Sequence, residues 1–125
     1  MKMLQGERKR FYDNGNLLCV ENWKDNKPHG EWKCFYQNGK LEQLENWENG
    51  KKHGEWKRFW DNGNLKEIGN YENKKLHGEW KHFDENGKLF QIENWENGKR
   101  HGKYKQFCKN GTVNWEENYK HGELA

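Results

Sequence analysis

Two short strand-like runs alternate along the chain, and a turn follows each of them. The first run reads Gly-Glu-Trp-Lys-x-Phe, as in Gly54–Phe59, and the second reads Leu-x-x-Leu/Ile-x-x-Trp/Tyr, as in Leu41–Trp47. An Asn-Gly pair such as Asn62-Gly63 separates the two runs. Asn-Gly between such runs is a strong hairpin signal, because both residues tolerate positive φ. Glycine recurs too often for a long helix, so the pattern predicts β-hairpins.

The hairpin pattern repeats with a period of 24 residues. The glycines that open the first run are each 24 residues apart, and they are Gly6, Gly30, Gly54, Gly78 and Gly102. Gly122 follows after 20 residues, so we expect one domain, 1–125, with units at 6–29, 30–53, 54–77, 78–101 and 102–121 and a partial sixth at 122–125. Five such units predict an all-β fold, an elongated twisted antiparallel meander of about ten strands built from five 24-residue β-hairpin repeats.

The apolar anchors within each run lie three residues apart, whereas a regular strand returns to the same face every second residue. Trp32 and Phe35 show this spacing in the first run, and Leu41 and Leu44 show it in the second. Either both faces carry apolar rows, or a β-bulge in each hairpin brings the anchors to one face. We expect bulges next to glycine and one packed face.

The composition predicts an ordered chain with a thin core. Only 30% of the residues are hydrophobic, but eight Trp, five Tyr and six Phe supply large apolar side chains. Each aromatic ring can bury roughly 150–250 Å², so we expect a core that forms a strip. The net charge is +3 with signs that alternate along the chain, which excludes the basic blocks typical of many nucleic-acid-binding segments.

The cysteines and the N-terminal residues bear on the compartment. Cys19, Cys34 and Cys108 occupy different positions in the repeat and form no CxxC pair, so we expect free thiols in a reducing compartment. No apolar run resembles a secretory signal, and none approaches the roughly 20 residues that span a bilayer. The sequence therefore predicts a cytoplasmic protein, although a signal already removed would not be visible.

A column of histidines is the first candidate for chemistry, and it comprises His29, His53, His77, His101 and His121. Equivalent positions in successive hairpins lie roughly 9–10 Å apart. That distance is too long for a shared ion, whose nitrogen ligands lie about 2.0–2.1 Å away, and no partner ligand repeats with the histidines. We expect structural roles in turns, with no metal and no cofactor.

The charged residues predict a solvated surface. Glutamate stands two residues before lysine on one strand face, as Glu55 does before Lys57, and such pairs form ladders of opposite charge. No catalytic constellation stands apart from the repeat, so the sequence predicts that the protein is not an enzyme. A column of lysines leaves nucleic-acid binding open, although the glutamates beside it weaken that hypothesis; these lysines are Lys9, Lys33, Lys57, Lys81 and Lys105.

The repeated Gly-x-Trp-Lys-x-Phe-Tyr-x-Asn-Gly-x-Leu pattern, followed by Trp/Tyr-x-Asn-Gly-Lys, runs from about Gly6 to Glu123. It resembles the MORN repeat variant family, short hairpin repeats found in bacterial antitoxin-type proteins. The resemblance implies a ribbon without an active site that binds a protein partner, a bacterial toxin or effector, as an immunity protein. Relatives with ordinary MORN repeats imply an alternative, a scaffold or adaptor on membrane phospholipid or nucleic acid. A third possibility is an inhibitor of another nuclease or defence complex.

Partner specificity is expected where the units differ, since the recurring Trp and Phe are needed for the core. The predicted partner-binding residues are Tyr12, Tyr36, Arg58, Trp60, His82, Asp84 and Trp115. The outer sheet edges offer a different mode, in which they pair with a partner strand or with another copy as an edge-to-edge homodimer.

Overall fold

The chain forms one open antiparallel sheet of consecutive hairpins. The computed structural model describes residues 3–125, so the predicted domain start at residue 1 lies outside the described residues. No helix among the described residues is long and apolar enough to cross a membrane. The strands are Gly6–Phe11 (β1), Leu17–Lys24 (β2), Lys27–Pro28 (β3), Gly30–Phe35 (β4), Leu41–Glu48 (β5), Lys51–Lys52 (β6), Gly54–Phe59 (β7), Leu65–Glu72 (β8), Lys75–Phe83 (β9), Leu89–Glu96 (β10), Lys99–Arg100 (β11), Gly102–Phe107 (β12), Val113–Lys120 (β13) and Glu123–Leu124 (β14).

The predicted all-β hairpin meander is confirmed. The sheet runs β1-β2-β4-β5-β7-β8-β9-β10-β12-β13-β14, and the short strands β3, β6 and β11 pair with β2, β5 and β10. The sheet has 14 strands rather than about ten because a histidine interrupts three of the returns from the second turn, which adds β3, β6 and β11, and because the last return adds β14. His29, His53 and His101 separate a two-residue strand from the long strand that follows, whereas β9 continues through His77.

The two turns of each unit differ in backbone conformation. In the Asn-Gly turn after β4 only Gly39 has positive φ, 87°, and the Asn38 side chain accepts a hydrogen bond from Lys40 N at 2.9 Å. The second turn has two consecutive residues at positive φ, Asn49 at 50° and Gly50 at 81°. That is the requirement of a type I′ turn. Positive φ at both residues is therefore needed at the second turn, and not at the Asn-Gly turn that separates the two runs.

Successive second turns are joined by backbone hydrogen bonds that define the phase of the repeat. In each second turn, the N–H group of the second positive-φ residue donates to the carbonyl 22 residues earlier, as Gly50 N does to Pro28 O at 2.9 Å and Gly122 N does to Arg100 O at 2.8 Å. Gly122 thus lies in the second turn of unit five, 24 residues after Gly98. This corrects the phase assigned to Gly122 from spacing, and it places His121 in the turn and outside the histidine column.

Each hairpin has a β-bulge beside its Asn-Gly turn, as predicted, but the apolar anchors lie on two faces. In the second hairpin Cys34 opposes Gln43 and Phe35 opposes Leu41, so Glu42 is the extra residue. Because the bulge lies on β5, the regular alternation of β4 places Trp32 and Phe35 on opposite faces. The expectation of one packed face is therefore wrong. We call the face that carries Trp32 the aromatic face and the other the aliphatic face.

The core is a strip of rings along the aromatic face. Ring centroids lie 5.3 Å apart in Trp23–Trp32, 5.8 Å in Trp32–Trp47 and 5.0 Å in Trp56–Trp80. Within residues 3–125 no side chain is completely buried, and Trp80 and Tyr104 are the buried hydrophobic residues. The single layer is therefore held together by contacts between neighbouring units and not by a second layer.

A disulfide joins the first two units. Cys19 on β2 lies directly opposite Cys34 on β4 and is bonded to it, with 4.0 Å between the Cα atoms. Cys108 is free and exposed. The prediction of free thiols is wrong for Cys19 and Cys34, because pairing between units brings two different repeat positions together. Repeat position alone could not reveal that contact.

Candidate binding surface

Many of the positions that differ between units lie in one line across the sheet. Cross-strand pairing orders them as Arg10, Cys19, Cys34, Gln43, Arg58, Glu67, His82, Gln91, Gln106 and Trp115. We call this line the variable row. It lies on the aromatic face, because Cys34 is two residues from Trp32 on a regular strand. The row contains three of the predicted partner-binding residues, Arg58, His82 and Trp115.

The other four predicted residues precede the Asn-Gly turns. Tyr12, Tyr36 and Trp60 each donate from the side chain to the carbonyl of the phenylalanine 23 residues later, at 2.6, 2.6 and 3.2 Å. Asp84 breaks this series, because its carboxylate accepts hydrogen bonds from two backbone N–H groups of its own turn, each at 2.9 Å. Tyr12, Tyr36 and Trp60 therefore tie neighbouring units together, in addition to any role in binding.

The extra residues of the bulges lie beside the variable row. The Lys66 ammonium is 4.5 Å from the centre of the Trp60 ring, and the Phe90 ring centroid is 6.1 Å from that of His82. Phe90 is 41% exposed. Sequence reasoning missed these positions, although one column of the repeat holds five different residues there: Leu18, Glu42, Lys66, Phe90 and Asn114. We call the variable row, the residues before the Asn-Gly turns and these bulge residues together the variable surface.

A half-buried charge network occupies the centre of the variable surface. His82 Nε2 lies 2.7 Å from Glu93 Oε1, and His82 Nδ1 lies 3.4 Å from Glu67 Oε1. Hydrogen bonds to Glu67 and then Glu93 raise the pKa of His82 to about 9, against the opposing effect of burial. Burial alone would raise the pKa of Glu93, but the hydrogen bond and charge of His82 outweigh it and lower that pKa. At neutral pH the site therefore holds one imidazolium between two carboxylates.

Tyr36 is the other predicted site residue whose acidity the surface changes. Burial, followed by the nearby Glu42 carboxylate, raises the pKa of the Tyr36 hydroxyl, and the Arg58 guanidinium partly offsets both. The same hydroxyl donates to Phe59 O. Tyr36 is therefore a neutral hydrogen-bond donor at physiological pH, close to both Glu42 and Arg58.

Three members of the histidine column are paired with glutamate. His53, His77 and His101 place Nε2 at 3.5, 3.4 and 3.2 Å from the carboxylate five residues earlier, that of Glu48, Glu72 or Glu96. The expectation that no partner repeats with the histidines is wrong, because the two-residue turn brings these positions together. No group of three or more His, Cys, Asp or Glu in the described part of the chain is arranged to hold a metal ion.

The lysine column lies on the aliphatic face and is paired with the glutamates that precede it. Lys33, Lys57 and Lys81 have Nζ at 3.0, 3.1 and 3.2 Å from the carboxylate two residues earlier, as the spacing predicts. These pairs are substantially exposed, so each contributes at most a few tenths of a kcal/mol, roughly, to stability. The pairing leaves the aliphatic face with mixed charge.

An open sheet of hairpin repeats that gathers varied polar and aromatic side chains on one face is a repeat binding module. The chain belongs to the MORN repeat variant family, whose model matches residues 4–25, 28–51, 52–73 and 76–99. MORN repeats are generally modules that bind proteins or membrane lipids, and they are not typically enzymes. No curated protein matches the chain.

Proposed function

We propose that this chain is a non-enzymatic protein-binding module whose variable surface covers a bacterial toxin or effector, as an immunity-type inhibitor does. One observation carries the proposal: many of the side chains that differ between units gather on one surface, whereas the recurring Trp and Tyr pack against one another. Phe90 and Trp115 are 41% and 40% exposed. Aromatic anchors among charged and polar neighbours suit a protein interface.

The experiment compares adjacent residues on opposite faces of one strand. Arg58 lies on the variable surface and Lys57 on the aliphatic face. The probe is the product of the neighbouring gene, and we expect Arg58→Ala and Phe90→Ala each to weaken its binding by about tenfold or more, as truncation of a buried anchor does. Lys57→Ala should leave affinity within about twofold. Titration calorimetry measures affinity, and co-expression measures relief of toxicity.

Two results would overturn the immunity proposal. The first is that the toxin forms no complex with the chain and its toxicity persists on co-expression. The second is that Lys57→Ala weakens binding as much as Arg58→Ala does, which would place the contact elsewhere on the sheet. A complex with another nuclease or defence protein that shows the same dependence on Arg58 and Phe90 would retain the binding surface and change the partner.

A second candidate function is a scaffold or adaptor that lies on an anionic surface of membrane phospholipid or nucleic acid. The observation that favours it is an exposed lysine directly after the second turn in four of the five units, at Lys27, Lys51, Lys75 and Lys99. Such a row attracts anions in a salt-dependent way. Binding to anionic vesicles or to single-stranded DNA at low salt, lost in Lys51→Ala/Lys75→Ala, would support it. No binding at low salt would exclude it.

The cytoplasmic location is part of the proposal and has its own test. Reducing compartments keep thiols reduced, so a cytoplasmic chain should hold Cys19 and Cys34 as thiols in cells and form their disulfide only on oxidation. Alkylation of intact cells before lysis, followed by mass spectrometry, measures this state. Complete protection of both cysteines from alkylation in cells would place the protein in an oxidising compartment.

A further inference from the structure

Exposed large apolar side chains concentrate at the two outer edges of the sheet. Within residues 3–125 they are Met3, Phe11, Phe90, Val113, Trp115 and Leu124. Apart from Phe90, all lie beside the outer edges: Met3 and Phe11 at β1, and Val113, Trp115 and Leu124 at β13 and β14. Phe11 is 57% exposed, whereas its interior equivalents Phe35 and Phe59 are half-buried under the neighbouring unit. The outer edges therefore expose surface that unit contacts cover elsewhere.

These two edges also retain unused backbone pairing. Among the described residues β1 pairs with β2 alone, and β13 pairs with β12 along its length but with β14 over two residues only. Each interior junction pairs a second strand with the first strand of the next unit, as Gln43 with Arg58 and Leu44 with Lys57. β13 is the second strand of its hairpin, so its outer side can pair with a first strand of another unit. β1 is the first strand of its hairpin, so its outer side can pair with a second strand.

The side chains at the two edges are complementary when the 24-residue phase is extended. In that register Glu116 on β13 lies opposite Lys9 of a second copy, and Trp115 lies opposite Arg10. Interior junctions place the equivalent lysines opposite Val20, Leu44, Ile68 and Ile92. The residue at this position is aliphatic in the other four units and acidic only in β13. At present Glu116 has Lys103 at 3.6 Å, and Lys9 has Glu7 at 3.8 Å, both exposed pairs that cost little to exchange.

We propose that the outer edge of β13 docks the outer edge of β1 of a second copy of this chain, in register with the repeat. The contact is heterologous, because it joins two different surfaces, so it leaves a free edge of each kind on the assembled pair. Repeating it generates an open linear assembly and not a closed dimer. Val113 and Phe11 of the two copies then lie next to each other on the aliphatic face.

Met3–Gln5 competes with this contact. Leu4 O accepts a hydrogen bond from Asn26 N at 3.1 Å, in the way that Arg100 O accepts one from Gly122 N at 2.8 Å. Leu124 stands 24 residues after Arg100, so in the assembly it occupies the place that Leu4 of the second copy holds. Leu4 N and the Gln5 side chain bind the Asn26 and Asp25 side chains at 2.6 Å each. The segment therefore holds the place that Leu124 of the other copy would take, and it must move for docking.

The first experiment removes this competitor. Sedimentation velocity over a concentration series compares the full chain with a variant that lacks residues 2–5. We expect the truncated chain to be half-associated at a concentration at least about fivefold below that of the full chain. It should also form assemblies of more than two copies as concentration rises. Thermal melting of both chains at low concentration confirms that each is folded. If folded chains with and without the segment stay monomeric at every concentration, the proposal is wrong.

The second experiment tests the register by charge reversal in the truncated chain. Lys9→Glu alone and Glu116→Lys alone each place like charges opposite each other, so we expect self-association to weaken about threefold or more. An equimolar mixture of the two variants restores opposite charges at every junction and should assemble as the unreversed chain does. Assembly that stops at two copies, or a mixture that associates no better than its components, would contradict the head-to-tail contact. Neither result affects binding of the toxin by a single copy.

Discussion

Among single residues, Lys74 is the least well suited to its backbone conformation. It occupies the second position of a type I′ turn with φ at 72°, where Gly50, Gly98 and Gly122 stand in three other units. A residue with a Cβ atom in this left-handed region costs roughly 1 kcal/mol relative to glycine. Lys74 N donates to Lys52 O at 3.1 Å, as the glycine N–H groups do at the equivalent turns.

Lys74→Gly should therefore stabilise the chain by about 0.5–1 kcal/mol, despite the greater freedom of glycine in the unfolded state. The reverse change at an equivalent turn, Gly50→Lys, is the matched control and should destabilise by a similar amount. A Cβ at Gly50 would meet Lys27 at 3.7 Å, an ordinary contact, so backbone conformation is the main difference. Urea denaturation measures both, and a destabilised Lys74→Gly would contradict the argument.

His82 makes stability depend on pH between neutral and alkaline conditions. Its pKa is about 9 in the folded chain and about 6.5 in an unfolded one. The folded state therefore binds the proton more tightly, and the stabilisation is complete below pH 6.5 and disappears as pH rises through 9. We expect a loss on the order of 1–3 kcal/mol across this interval. Denaturation at pH 6.5 and 9.5 measures it.

The control for this pH dependence is His82→Gln, which keeps a hydrogen-bonding side chain but does not titrate. Its free energy of unfolding should change less over the same interval than that of the unaltered chain. Equal pH dependence in the two proteins would show that other groups cause it. The lowered pKa of Glu93 acts at the opposite end of the scale, where stability falls as acid protonates that carboxylate.

Among the hairpins, the first depends most on its link to the next. All residues of β1 are exposed, and Arg8 stands where other units have Trp or Tyr. The bond between Cys19 and Cys34, 15 residues apart, closes this first junction. A loop of that length gives about 3 kcal/mol in the chain-entropy account of disulfides. The first hairpin is therefore covalently held where its side-chain packing is weakest.

Reduction should loosen the first hairpin selectively. We expect a loss on the order of 2–3 kcal/mol in stability, with faster amide hydrogen exchange in β1 and β2 and little change in β10 to β12. The variant Cys19→Ser/Cys34→Ser should exchange like the reduced chain and should not respond to reductant. Uniform acceleration over all strands would mean that the disulfide supports the whole sheet and not one junction.

The sequence was sufficient to predict the hairpins, since Asn-Gly pairs and strand-like runs are local signals. It could not show which face Trp32 and Phe35 occupy, because that depends on which strand carries the extra residue, here Glu42. The partner of Cys19 was also out of reach, because pairing between units is not local. The glutamate partners of the histidines could not be predicted either, because they depend on the type of the second turn, which residue spacing alone does not identify.

The binding surface was predictable where comparison of the units was enough. Arg58 and His82 were found because their column varies, and Trp115 because the last unit is irregular; pairing does place the three in one row. Phe90 and Lys66 were missed, because their place on this face depends on the bulge. The hydrogen bonds that Tyr36 and its equivalents make to the following unit could not be foreseen, because they depend on the stacking of whole units.

The molecule as a whole is a series of units in which each long hairpin contacts the next along the sheet. Such arrays have stabilities that are approximately the sum of unit and junction contributions. Deletion of residues 54–77 removes one complete period and restores every pairing type at the new junction. We expect a folded chain with a smaller urea m-value and lower stability, as circular dichroism and denaturation would show.

Deletion of residues 54–64 is the control for that experiment. It removes β7 and its Asn-Gly turn but leaves β8, so every strand after the deletion is reversed in direction relative to the strands before it. This shorter deletion places β8 next to β5, although each of them normally pairs with a first strand of a hairpin. It should therefore unfold the chain or cause aggregation, even though it removes fewer residues. If both deletion variants fold equally well, the period of 24 residues does not define the structural unit.

The difference between hairpins and junctions has a mechanical consequence. The β7–β8 hairpin has six registered residue pairs, whereas the β5–β7 junction has two. A load that pulls the units apart would open such weakly paired junctions one after another while the hairpins remain closed. The disulfide prevents the first junction from yielding in this way. The ribbon would therefore respond to force as a compliant spacer with one inextensible end.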